Sequence, residues 1–191
     1  MAKFRGLKVY HNFLDQLDYD KLYKNLLVFD FPWYYVSTQS YPEDVGDIFD
    51  THLTHVVYEK ALEHSSNFRE IFDTLVEKAT HCVYGAYLPD RILRVKCNLL
   101  LAQHKQTKSA WHTDYSSDDI PLPYFNSPLT EGKGTTAIYY LNTNNGYTEF
   151  KEDEKSLSQE NKLIIFDTEK EHRAVRQTDT KARIVVNINF M

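Results

Sequence analysis

The stretch of sequence that decides the fold is Arg183-Ile-Val-Val-Asn-Ile-Asn-Phe190. Every even-numbered position in it is apolar, and three of the four odd-numbered positions are polar. Because successive side chains of a β-strand point to opposite faces, the pattern predicts a strand with one apolar face and one mostly polar face. The polar face either contacts water or lines a cavity, where Arg183 could bind a carboxylate through two parallel hydrogen bonds.

Three similar runs precede this strand in the C-terminal half of the chain. They are rich in Val, Ile, Tyr and Leu, and they cover residues 95–101, 135–141 and 162–166. Turn-forming residues at 142–146 and 178–180 punctuate them. Short strands without intervening helices predict an antiparallel sandwich or barrel.

The N-terminal half has a different pattern. Between about residues 10 and 90, apolar residues recur mostly with helical spacing, most clearly at 19–27 and 68–79. The apolar stretch from Leu26 to Val36 contains Pro32 and predicts an irregular strand. This half is therefore interpreted as a largely helical layer.

The length of 191 residues favours one domain. We predict a single domain over residues 1–191 that is mainly β with flanking helices. About residues 1–90 would supply the helical buttress and leading strands, and about residues 91–191 would form the β core that carries the site.

The composition disfavours several function classes. A formal net charge of −5 argues against a general nucleic-acid or anionic-membrane binder. No apolar run approaches the ~20 residues of a membrane span, and no apolar segment follows the charged N-terminal residues, as a signal peptide requires. Cys82 and Cys97 form no closely spaced pair, which is typical of free thiols in a reducing compartment. We therefore expect a cytoplasmic protein.

Three residues with metal-ligand chemistry follow in a suggestive order: His112, Asp114 and His172, here called the triad. Residues two apart on an extended strand share a face, so His112 and Asp114 could approach one metal from the same side. Two imidazoles and one carboxylate form the facial site of non-haem iron oxygenases, which leaves coordination positions open. The remaining histidines are interpreted as surface or hydrogen-bonded core residues: His11, His52, His55, His64, His81 and His104.

The order of motifs resembles the 2-oxoglutarate- and iron(II)-dependent oxygenases of the prolyl-4-hydroxylase-like group. The motifs are His112-Thr-Asp114, Thr136-Ala-Ile-Tyr-Tyr-Leu-Asn142, Gly146-Tyr-Thr-Glu-Phe150, Leu163-Ile-Ile-Phe166, His172 and Arg183. The resemblance implies a double-stranded β-helix core of jelly-roll or cupin-like type with an N-terminal helical layer. It also implies a dioxygenase that hydroxylates or otherwise oxidises a substrate C–H bond while 2-oxoglutarate is decarboxylated to succinate. The cofactors implied are iron(II), 2-oxoglutarate and O2, with ascorbate as a candidate reductant.

The resemblance assigns roles to individual residues. The triad corresponds to the iron ligands, and Arg183 to the residue that pairs with the distal carboxylate of 2-oxoglutarate. A second contact to that carboxylate is implied for Tyr140, as in animal prolyl hydroxylases, or for Thr148, as in other members. Many members also have a tyrosine on the strand before the His-x-Asp motif that faces the cosubstrate. Here Asn98 or Gln103 is a candidate to replace it.

Two other functions are left open. A non-catalytic jelly-roll binding module would not need both the triad and Arg183, and a cupin-type metalloprotein with another metal usually brings more histidines to it. The segment 115–133 contains three prolines and predicts a long functional loop, in which Tyr115 and Tyr124 could contact the substrate. That substrate is a small molecule or a peptide or protein residue, prolyl or other. The sequence does not indicate the oligomeric state.

Overall fold

The computed structural model describes residues 6–28, 30–37, 51–114 and 134–191. Strands account for 39% and helices for 22% of the structure, so the fold is mainly β, as predicted. The predicted loop at 115–133, with Tyr115 and Tyr124, lies outside the described residues.

Eleven strands and two α-helices form the described part of the chain. The α-helices are α1 (Gln16–Leu26) and α2 (Asp73–Tyr84). Short 3-10 helices cover Lys60–Leu62, Arg69–Phe72 and Pro89–Arg91. The strands are β1 (Lys8–Tyr10), β2 (Tyr34–Val36), β3 (His52–Glu59), β4 (His64–Ser65), β5 (Ile92–Leu101), β6 (Thr135–Tyr140), β7 (Tyr147–Phe150), β8 (Lys155–Leu157), β9 (Lys162–Asp167), β10 (His172–Val175) and β11 (Ala182–Phe190).

Helix α1 begins at a side-chain cap and buries one face. The Asp15 carboxylate accepts a hydrogen bond from the backbone N–H of Asp18 (3.0 Å), which satisfies a donor that the first turn would leave free. Tyr19, Leu22 and Leu26 are buried at helical spacing. The helix is therefore held by burial of this stripe against the sheet.

Helix α2 packs into the same core. Its buried residues include Leu75, Val76 and Ala79, and they belong to one apolar cluster with the even-numbered residues of β11. The helix ends at Gly85, which adopts a left-handed φ of 70° that costs glycine little. Both helices thus cover the apolar face of the large sheet.

The strands form two antiparallel sheets. The large sheet has the order β1-β9-β6-β11-β5-β3-β2, with β4 paired to β3, and the small sheet has the order β10-β7-β8. Isolated bridges Lys108–Val175 and His112–His172 place the segment 107–114 beside β10. The small sheet is thereby extended by an irregular edge that carries two of the triad residues.

The two faces of β11 have the polarity that its sequence predicts. Ile184, Val186 and Ile188 are buried in the core with the helices. Arg183 and Asn187 line a cavity on the other side of the sheet. The polar face therefore lines a cavity and is not a water-exposed side of the sheet.

One secondary-structure prediction was wrong, and another was incomplete. The half interpreted as largely helical with leading strands contains the eight-residue strand β3, which pairs with β5 and which the helical spacing did not locate. The apolar stretch from Leu26 to Val36 is not one irregular strand, because α1 extends to Leu26 and strand begins only at Tyr34. Among the described helices, none combines the length and apolar character needed to cross a membrane.

Candidate metal and carboxylate site

The backbone places the two histidines of the triad opposite each other. The N–H of His112 donates to the carbonyl of His172 (3.1 Å), and the N–H of His172 donates to the carbonyl of His112 (2.9 Å). Residues that exchange both hydrogen bonds in an antiparallel pair lie about 5.5 Å apart at Cα. The ring centroids are 4.6 Å apart. The pairing of two backbone segments thus sets the spacing of the imidazoles.

Each imidazole is oriented by a local carbonyl. The Nδ1 atom of His112 lies 3.2 Å from the carbonyl oxygen of Ala110, and that of His172 lies 2.9 Å from the carbonyl oxygen of Lys170. A carbonyl can only accept, so Nδ1 carries the proton in both rings. The Nε2 lone pair of each ring is then left for a metal ion, which is the usual arrangement of a metal-binding histidine.

A network of donors holds the carboxylate of Asp114. Arg94 reaches Oδ1 at 3.3 Å, and Thr136 and Asn189 donate to Oδ2 at 2.9 and 3.0 Å. Burial would raise the pKa of Asp114, but electrostatic interactions with His172 and Arg94 outweigh it and lower the pKa to about 2. The carboxylate is therefore ionised and fixed in position.

The three side chains offer ligand atoms that all lie within 4.8 Å of one another. Two neutral imidazoles and one carboxylate on one side of a point match the ligand set of a facial non-haem iron site. The donor chemistry, the Nε2 lone pairs and the ionised carboxylate thus fit a divalent iron ion. The sequence prediction that these residues come together agrees with this geometry, and their role as ligands stays a prediction.

The triad opens onto a cavity of about 370 Å³ between the two sheets. This volume is at the small end of the range for small-molecule sites, about 300–1,000 Å³. Residues from six strands and the edge segment contribute to the wall. They are His52, Arg94, Lys96, Asn98, Leu100, His112, Thr113, Asp114, Ile138, Thr148, His172, Ala174, Arg183, Val185 and Asn187.

Arg183 lies in the wall of the same cavity. Its side chain is 1% exposed, and it donates to Ser158 Oγ (3.2 Å) and to Thr148 Oγ1 (3.3 Å). No carboxylate of the described residues pairs with it, and burial lowers its pKa. A buried cation without a counter-charge is costly. The structure therefore has a place for an anionic group beside this guanidinium.

Gly146 makes room for the stem of Arg183. A Cβ atom at this position would lie 2.9 Å from Arg183 Cδ and 2.9 Å from the carbonyl oxygen of Val175. Such distances are too short for non-bonded atoms, and neither neighbour is free to move. The motif Gly-x-Thr-x-Phe thus requires glycine at position 146, because the Arg183 side chain and the Val175 backbone leave no room for a Cβ atom.

Thr148 and Tyr140 occupy different layers of the wall. Thr148 lines the cavity, whereas Tyr140 is fully buried and does not appear in the lining. The Tyr140 hydroxyl donates to Thr148 Oγ1 at 2.8 Å. Because that oxygen also accepts from Arg183, the single proton of the Thr148 hydroxyl is left to be donated into the cavity.

Sequence reasoning missed part of this site. Arg94 and Thr136, which position Asp114, were not predicted, although Arg94 shares the inward face of β5 with Lys96. Asn98 lines the cavity, whereas Gln103 does not.

The interpretation of His52 as a surface or hydrogen-bonded core residue was wrong. It is 6% exposed, it lines the cavity, and its Nδ1 has no hydrogen-bond partner within the described structure. The sequence does not show whether His52 lies on the outer face of its strand or on the face that lines the cavity. Only the register of β3 in the sheet distinguishes the two positions.

Replacing Arg94 with methionine is expected to weaken metal binding about tenfold to 100-fold, because Asp114 loses the cation that orients and ionises it. Competition with a chromophoric chelator measures the affinity. Arg69→Met is the matched control, since Arg69 lies outside the cavity, where it is 4.0 Å from Asp73 and its guanidinium lies over the ring of Tyr58. Equal affinities of the Arg94 and Arg69 variants would contradict the proposed positioning role.

The sequence matches no family model and no curated protein. Solved structures are more informative. The non-heme α-ketoglutarate-dependent epimerase of nogalamycin biosynthesis superposes with a TM-score of 0.62 at 14% identity, covering 97% of this chain and 77% of that chain. A Trichoplax adhaerens prolyl hydroxylase, solved with a hypoxia inducible factor peptide fragment, gives a TM-score of 0.60 at 11% identity, with 98% and 84% covered.

A third match comes from a virus. The collagen prolyl hydroxylase of Paramecium Bursaria Chlorella virus-1 gives a TM-score of 0.58 at 13% identity, and the match covers 98% of this chain and 96% of that chain. These identities are low, so the similarity concerns the backbone arrangement. The chain therefore has the jelly-roll fold of the 2-oxoglutarate- and iron(II)-dependent oxygenases, prolyl hydroxylases among them.

Proposed function

We propose that this protein is an iron(II)- and 2-oxoglutarate-dependent oxygenase that hydroxylates or otherwise oxidises a C–H bond of its substrate. The observation that carries the proposal is that one cavity wall contains both the triad and the Arg183 guanidinium, which pairs with no carboxylate of the described residues. A binding module would not need both features. A cupin-type metalloprotein without 2-oxoglutarate would leave Arg183 as a buried cation without a ligand.

The residues of the cavity bind the metal and the cosubstrate, and the metal carries out the oxidation. Iron(II), when bound with 2-oxoglutarate and O2, supplies the oxidation of the substrate, coupled to decarboxylation of 2-oxoglutarate to succinate. The triad holds the metal through two Nε2 atoms and one carboxylate. Arg183 binds the distal carboxylate of 2-oxoglutarate, and Thr148 adds a hydrogen bond to it. The protein thereby positions the cosubstrate, while the difficult chemistry belongs to the metal.

Binding of 2-oxoglutarate tests this proposal without a known prime substrate. The purified protein is titrated with 2-oxoglutarate by calorimetry under anaerobic conditions, with and without iron(II). We expect binding that depends on the metal, because one end of the cosubstrate would contact the ion and the other Arg183. Absence of binding to the iron-loaded protein would rule the proposal out, whereas absence of turnover alone would only reflect a missing substrate or reductant such as ascorbate.

Thr148→Val is expected to weaken 2-oxoglutarate binding about tenfold, because a hydroxyl that donates into the cavity is lost. Tyr140→Phe is expected to weaken it much less, since the Tyr140 hydroxyl acts through Thr148. Calorimetry on the metal-loaded proteins measures both. A larger loss in the tyrosine variant would reverse the assignment and make Tyr140 the direct contact.

The geometry of the site does not specify the substrate or the type of oxidation. The neighbours include prolyl hydroxylases and an epimerase, so hydroxylation and a prolyl or other peptide substrate are proposals for this chain. A single domain and a cytoplasmic location stay predictions.

A further inference from the structure

A second group of polar side chains lines the cavity beside the triad, Arg183 and Thr148. It consists of His52 on β3, Lys96 and Asn98 on β5, and Asn187 on β11. Lys96 and Asn187 are directly paired across β5 and β11. We call these four residues the basic wall.

Lys96 is a cation with no anionic partner among the residues that the structure describes. No acceptor among the described residues lies within hydrogen-bonding distance of its ammonium group, and the side chain faces the cavity. Burial lowers its pKa, and the charge of Arg94 lowers it further, with only partial relief from Asp114 and Glu59. Within the described part of the chain, the ammonium therefore lacks an anion that would stabilise it.

The neighbours of Lys96 also have unused polar atoms. Within the described structure, Nδ1 of His52 and Oδ1 of Asn187 are buried without a partner. Asn98 accepts a hydrogen bond from Thr54 at its Oδ1 (3.1 Å), which leaves its NH2 group to donate. Buried polar groups are almost always hydrogen-bonded in native proteins. Several unused groups on one wall therefore indicate a polar ligand.

The charges of the proposed complex point to the sign of that ligand. A divalent ion would offset the two carboxylates of 2-oxoglutarate, and Arg94 already offsets Asp114. Arg183 and Lys96 then remain as excess positive charge in the cavity wall. A substrate that brings a negative group would lower the electrostatic free energy of the complex.

We propose, on the basis of the proposed function, that the prime substrate carries a carboxylate that binds Lys96 and the amide of Asn98. A single ammonium matches the single charge of a carboxylate better than the double charge of a phosphate monoester.

Propionate and its neutral isostere propionamide are suitable probes. The protein is loaded with zinc(II), which supports no turnover, and with saturating 2-oxoglutarate, so that Arg183 is occupied. Ligand-observed NMR then measures the affinity of each probe. We expect propionate to bind about tenfold more tightly than propionamide, and Lys96→Met to remove this preference while the affinity for 2-oxoglutarate changes less than twofold.

Two further variants complete the test. Lys96→Arg keeps the charge and should restore the preference for propionate, and Lys21→Met, at an exposed lysine of α1, should leave it unchanged. The proposal is overturned if propionate binds the wild type no better than propionamide or if Lys96→Met keeps the preference. It is also overturned if Lys96→Met weakens 2-oxoglutarate binding tenfold, since Lys96 would then belong to the cosubstrate. Failure of the wild type to bind 2-oxoglutarate in the first step would instead refute the oxygenase function.

Discussion

Asp114→Ala is expected to abolish turnover and to weaken iron binding more than about 100-fold, a larger loss than changes outside the ligand set produce. The carboxylate is the anionic ligand of the triad, and it is already ionised and oriented before metal binds. Its removal leaves two neutral imidazoles, which cannot offset the charge of the ion. Metal content after dialysis against a chelator, together with succinate formation, measures both effects.

A matched control separates this effect from a general loss of fold. Asp90→Ala removes an exposed carboxylate outside the cavity and should retain wild-type metal content. The apo form of Asp114→Ala should remain folded, because the Arg94 side chain that it leaves behind is 21% exposed and can be hydrated. Wild-type turnover in the Asp114 variant would show that the metal is held elsewhere.

Arg183→Ala is expected to raise the apparent KM for 2-oxoglutarate about 100-fold, with a smaller change in kcat. The guanidinium would be paired with a buried carboxylate in the complex, and truncation of one partner of such a pair costs about 2–5 kcal/mol. Each 1.4 kcal/mol corresponds to a factor of about ten. Steady-state succinate formation at varied 2-oxoglutarate concentrations gives both constants once a prime substrate is in hand, and calorimetry gives the affinity before that.

Two companion variants sharpen the interpretation. Arg183→Lys keeps the charge but loses the planar pair of donors, so it should recover only part of the affinity. Arg183→Met removes a buried unpaired cation, and the apo protein should melt at or above the wild-type temperature while losing the stabilisation by 2-oxoglutarate. An unchanged KM in Arg183→Ala would place the anchor on another cation of the cavity.

Much of the β core could be predicted because its strands alternate regularly. Strand β11 is the clearest case, since the apolar and polar faces in the sequence are the buried and cavity-lining faces of the structure. Strand β3 escaped prediction for the opposite reason. Its inward face carries His52 and Thr54, and the register shifts between Val56 and Tyr58. The inward face of β3 is therefore partly polar, and the register shift interrupts the regular alternation of apolar and polar residues. The sequence pattern of a strand is lost for both reasons.

The candidate site was predicted to the extent that it is encoded locally. The His-x-Asp spacing and the distance from His172 to Arg183 are visible in the sequence. The hydrogen bonds from Arg94 and Thr136 to Asp114 cannot be seen in the sequence, because these residues meet only through the pairing of β5, β11 and β6. The same applies to Tyr140 and Thr148, whose order in the wall depends on how the two sheets face each other.

The hydrogen-bonded pairing of the two histidines has a consequence for how the ion would leave. His172 lies between β7 and the segment 107–114, whereas His112 belongs to that segment, which joins β10 through scattered bridges. Partial opening should therefore begin on the His112 side, while the rest of the protein stays folded. The rate of iron loss would then follow amide hydrogen exchange at His112 and Asp114, and not the rate of global unfolding.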